Sequence, residues 1–130
     1  IVPNISTGPI EGVYRLISIK NSEDNSDLPL YDLSKMIVYQ DHFIVGVKRN
    51  SAINTGTKLT ESEKIAAHDN TELNMGRFFY EEGRVFIKSQ MKLNDGTPLN
   101  QRIEIPVEIV NDNIIFDLPW GERHVWSKEA

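Results

Sequence analysis

Apolar and polar residues alternate along most of this chain, and short polar clusters break the pattern every 10 to 15 residues. Alternation with period two marks strands that have one face buried, and frequent turn signals mark a β-sandwich or barrel. Three stretches read cleanly. Val85, Ile87, Met91 and Leu93 share one face, with Ser89 its one polar member, and Lys88, Gln90 and Lys92 take the other. Ile103, Ile105, Val107 and Ile109 oppose Arg102, Glu104 and Glu108. Ile114, Phe116 and Leu118 oppose Asp117. Each pattern predicts one core face and one wet face.

The predicted strands run over 13–20, 35–40, 43–49, 73–80, 84–93, 101–110, 114–118 and 123–127. The turns between them are rich in Asn, Asp and Gly, with Asn94-Asp95-Gly96 the strongest. Pro106 has no amide to give to a ladder, so its strand run needs a bulge or an unpaired edge there. Between the third and fourth strands the period changes. Thr60-x-x-Glu63 is a capping box, which predicts a two-turn helix ending near Asp69-Asn70. Glu61 and Glu63 in its first turn suit the helix dipole. About eight strands with short links favour an antiparallel up-and-down meander, which removes its edges by closing into a barrel. The expected fold is therefore all-β: an up-and-down barrel with one short α-helix.

The 130 residues suit one domain, divided here into a flexible lead-in at 1–10 and a barrel at 11–130. Asn4-Ile5-Ser6 forms a sequon within the lead-in. A formal net charge of −5 argues against general binding to nucleic acid or anionic membranes. Arg77, Arg84, Lys88 and Lys92 read as solvated strand faces, not a basic patch. With no cysteine, disulfides, thiolate metal sites and cysteine nucleophiles are excluded. No apolar run is long enough for a transmembrane helix. A chain that starts at Ile1 and carries a tether-like lead-in is expected to be a trimmed or mature form. The compartment expected is the periplasm or the cell envelope, as a lipoprotein, with the cytoplasm left open.

Little in the sequence suggests catalysis. His42, His68 and His124 have no metal-ligand spacing, so neither a metal site nor a cofactor is expected. There is no phosphate loop and no nucleophile elbow. Glu81-Glu82 and Glu61/Glu63 read as a solvated turn and a helix start. Trp120, between Pro119 and Gly121, is expected to cap the barrel mouth, with an exposed contact site as the alternative. Met36 to Tyr39 and Phe43 to Val47 are apolar on both faces, so they need cover from the helix or from a partner.

Glu11-Gly12-Val13-Tyr14-Arg15-Leu16-Ile17-Ser18 resembles the opening strand of bacterial lipocalin-like domains, which belong to the calycin barrels. There a Gly-x-Trp is followed by a basic residue, Leu, an aliphatic and Ser. Lys35 to Val47 resembles the second and third strands of those domains. Thr60 to Phe78, with Gly76-Arg77-Phe78, resembles their short helix and the strand after it. His124-Val125-Trp126-Ser127-Lys128 resembles their closing strand. Tyr14 replaces the usual Trp and Lys128 the usual Arg. The resemblance implies that Tyr14 plugs the closed end beneath Lys128 or Arg123, a weaker cation–π pair than Trp with Arg.

Parity and resemblance together predict an apolar, non-enzymatic binding cavity for a small hydrophobic ligand. Its expected lining is Tyr14, Phe43, Phe78, Ile87, Met91, Ile105, Phe116 and Trp126. The helix from Glu61 to His68 is the expected lid. The alternative is a structural or interaction barrel with a filled core, envelope-associated or dimeric through the Met36 to Val47 hairpin. A barrel isomerase or lyase ranks last, because no charged inward residue is readable on the three clean strands.

Overall fold

The computed structural model describes residues 10–50 and 60–129. Eight antiparallel strands close into one barrel in sequence order: β1 Gly12–Asn21, β2 Leu33–Tyr39, β3 His42–Lys48, β4 Thr71–Glu81, β5 Arg84–Leu93, β6 Arg102–Val110, β7 Asn113–Leu118 and β8 Glu122–Lys128. β1 pairs with β8 to complete the circuit. Every strand forms within a few residues of its predicted place, because each carries an apolar run, alternating or continuous, between turn formers. The β4–β5 turn shows the turn chemistry directly. Glu82 and Gly83 both take positive φ, as a tight two-residue hairpin turn requires.

α1, Glu61–Asn70, starts at the predicted capping box. The Thr60 hydroxyl accepts from the Glu63 amide, and the Glu63 carboxylate accepts from the Thr60 amide. Asn70, at its end, is buried and clamps the excursion shut. Its side chain accepts from the Asn50 amide and donates to the Asn50 carbonyl.

The apolar core lies inside the barrel and joins residues from all eight strands with Ile10. Ile10 is fully buried and belongs to this core, not to a flexible lead-in. Asn4 lies outside the described residues.

Two bulges reset the alternation. In β1, Leu16 pairs with Trp126 but Ser18 pairs with Val125, so Ile17 is the extra residue. Leu16 and Ile19 are both buried as a result, while Ile17 faces out. In β5, Met75 pairs with Met91 but Gly76 pairs with Ser89, which leaves Gln90 extra. This overturns part of the predicted face. Met91 does not point inward and is 62% exposed. Lys92 pairs with buried Asn74 and so shares its inner face, opposite to the expected parity. Its ammonium donates to the Thr97 carbonyl at 2.8 Å.

Pro106 lies where β6 changes partners. Residues 102–106 pair with β5, while 107–110 pair with β7. The ladder between β6 and β7 is therefore absent beside the early part of β6. β1 and β2 also part after Tyr14, where the Ser34 hydroxyl takes over by accepting from the Leu16 amide.

Candidate functional site

The barrel has a closed end and an open one. At the closed end lie the β2–β3, β4–β5 and β6–β7 turns and the start of β1. Tyr14 sits there, 1% exposed, and its hydroxyl donates to the Ile10 carbonyl at 2.8 Å. Burial, helped by the negative charge of Asp112, pushes its pKa up to about 12. The Lys128 ammonium lies over the Tyr14 ring, 6.0 Å from its centre. Arg123 is not the partner. It donates to Asp117 at the other end of β8.

At the open end a cavity of about 690 Å³ enters the barrel. Six of the predicted residues line it: Phe43, Phe78, Ile87, Ile105, Phe116 and Trp126. They converge because inward parity on β3, β4, β5, β6, β7 and β8 brings them to one axis. Phe43 and Phe78 touch as a tilted ring pair, 6.1 Å between centroids. Tyr14 and Met91 are not in the lining. Tyr14 forms the plug below, and the β5 bulge turns Met91 out.

The mouth is polar in a way the three clean strands did not reveal. Glu72, Asn74, Asp95, Thr97, Glu122 and His124 all face the cavity. The three clean strands carried no readable inward charge; the charged lining comes from β4, β8 and the β5–β6 loop, which that reading did not cover. Each carboxylate is already engaged. Arg49 pairs with Glu72, the Thr97 amide donates to Asp95 at 2.7 Å, and His124 Nε2 donates to Glu122 at 2.9 Å. Alternation on 122–126 was the available signal: Glu122, His124 and Trp126 are spaced by two, so an inward Trp126 commits the other two.

Tyr31 and Trp120 complete the rim. Burial raises the Tyr31 pKa, against the opposing pull of Arg49 and with smaller contributions from Glu122 and Asp95. Trp120 lines the mouth yet stays 54% exposed, so it stands beside the opening as a partial cap. No α1 residue lines the cavity, so the helix is not a lid in this structure. Among the described residues no group of His, Asp and Glu is placed to hold a metal ion, and no helix is long and apolar enough to cross a membrane. His42 and His68 are exposed, while His124 is largely buried.

The outer face of the β2–β3 hairpin keeps Ile37, Tyr39 and Ile44 exposed, with Ile37 paired across to Ile44. No described element covers them; Met36, Val38 and Phe43, on the opposite parity, are buried in the core.

No family model matches the chain, and no curated protein matches it significantly. Among solved structures it is similar to the crystal structure of an uncharacterised protein from Bacteroides eggerthii. Identity is 9%, the TM-score is 0.55, and the match covers 92% of this chain and 98% of the other. A likeness at that identity extends to the fold: a β-barrel of this architecture.

Proposed function

We propose that this protein binds a small, mainly apolar molecule inside its barrel and does not transform it. The observation that supports the reading is the cavity itself, about 690 Å³, with an aromatic and aliphatic lower wall and one polar opening. That volume lies within the usual range for small-molecule sites, roughly 300–1,000 Å³. Ligand surface would replace water against Phe43, Phe78, Phe116 and Trp126, a gain of about 25 cal/mol per Å² before the costs of binding. A binding role also fits the carboxylates, each of which is held by a hydrogen bond or ion pair. The lipocalin-like resemblance of residues 11–128 points the same way.

Both tryptophans of the chain line the cavity, so intrinsic fluorescence reads it directly. Titration with fatty alcohols, sterols and retinoids should quench or shift the emission with saturation. Native mass spectrometry should show a bound mass that leaves on denaturation. Unchanged emission across the series, together with a clean apo mass, would sink the reading. A second reading rests on Ile37, Tyr39 and Ile44, a small apolar patch suited to pairing with another copy. Concentration-dependent sizing of the wild type against Ile37→Lys tests it, and a species that stays monomeric at every concentration removes it.

A further inference from the structure

The mouth carries more information than its apolar floor, because two opposite walls show the same gradient. β4 and β8 lie four strands apart in a closed ring of eight. Descending β4, the cavity meets Glu72, then Asn74, then Phe78. Descending β8, it meets Glu122, then His124, then Trp126. Each wall thus runs from carboxylate through a polar side chain, Asn74 or His124, to an aromatic ring. A molecule lying along the axis has its apolar body below and its polar end at the height of Asn74 and His124.

Asn74 indicates which polar end fits. Its side chain is 3% exposed, it lines the cavity, and its Oδ1 has no hydrogen-bond partner among the described residues. A buried carbonyl oxygen left unpaired is costly, and a donor from a ligand removes that cost. The charges around it agree. Three carboxylates, Glu72, Asp95 and Glu122, line the cavity; the nearby cations do not, since Arg49 is tied to Glu72 and Lys92, beside Asn74, donates to the Thr97 carbonyl. An anionic head would meet like charge in a partly dry site, whereas a hydroxyl or an amine would not.

Building on the binding reading above, we infer that the ligand is an apolar molecule with a hydrogen-bond-donating head, an alcohol or an amine, held through Asn74 Oδ1, and that carboxylates are rejected. Calorimetry near neutral pH with decanol, decylamine, decyl methyl ether and decanoate tests it, since the chain length is constant and only the head changes. Decanol and decylamine should bind about fivefold or more tightly than the ether, the worth of one hydrogen bond to a buried acceptor. Decanoate should be the weakest. Asn74→Leu should erase the advantage of decanol over the ether while keeping ether binding, and the variant should fold because it removes an unpartnered polar group. Glu122→Gln should weaken decylamine more than decanol.

Decanoate matching decanol, ether matching decanol, or a decanol preference that survives Asn74→Leu would each overturn the inference while the binding barrel stands. No heat or quenching with any of the four, the ether included, would overturn both.

Discussion

The two ends of the barrel share the same strands and differ in how completely they are satisfied. At the closed end, Tyr14 is buried, its hydroxyl is paired with Ile10, and its ring lies under Lys128. The ladders there are continuous through β1–β2 and β6–β7. At the open end both of those ladders stop, Trp120 stays half exposed, and Asn74 keeps an unpaired oxygen. Complete packing and pairing make an end stable; incomplete pairing leaves groups free to recognise something else. Stability is therefore expected to reside at the plug, and recognition at the mouth.

The largest test of that division is Tyr14→Ala. It should cost about 4 kcal/mol, as for other buried aromatic truncations, read as a lowered midpoint in urea. A loss below about 1 kcal/mol, the size of an ordinary substitution, would show that the closed end is not the stabilising one. Next comes Gly76, between the two ends at the β5 bulge. A Cβ there would sit 2.0 Å from the Lys88 carbonyl oxygen, and neither strand can yield without breaking the ladder. Gly76→Ala should cost about 3 kcal/mol, the upper range for overpacking, and should disturb both ends together.

Thr60→Ala removes half of the capping box, so about 1 kcal/mol should be lost in thermal melts. The cavity should be untouched, since no α1 residue lines it. The smallest effect on stability is expected at the rim. Trp120→Ala should change the midpoint by less than about 0.5 kcal/mol, as for other exposed sites, yet reduce the fluorescence response to ligand. A large loss of stability there would make Trp120 part of the core and not of the recognition surface.

Alkaline pH sharpens the comparison further. Tyr14 has its pKa raised to about 12 from an ordinary 10, so the folded state favours the neutral phenol that donates to Ile10. Its contribution is complete below pH 10 and is lost as pH climbs from 10 to 12. Unfolding followed over that window should show falling stability in the wild type and a flatter curve in Tyr14→Phe. Identical slopes would remove Tyr14 as the titrating group.

Much of this was legible in the chain, for identifiable reasons. Ile103, Ile105, Val107 and Ile109 alternate without interruption, and their strand formed in place. Thr60 and Glu63 carry a local signal that depends on nothing distant, and the helix began there. Six of the predicted cavity residues meet in space because parity is a local property and a closed barrel turns it into a shared interior. Met91 and Lys92 were misread because a bulge is decided by two strands at once. Gly76 allows the close approach and Gln90 is pushed out of register, and neither event shows in β5 alone.

By itself, then, the sequence determined the strand order, the turns, the helix cap and the all-β barrel, since alternation and turn chemistry act over a few residues. Only the tertiary structure decided between Lys128 and Arg123 as the cover of Tyr14, and where the interior turns from apolar to polar. Those depend on register between strands far apart in sequence. That register set Glu72, Asn74, Glu122 and His124 around one opening.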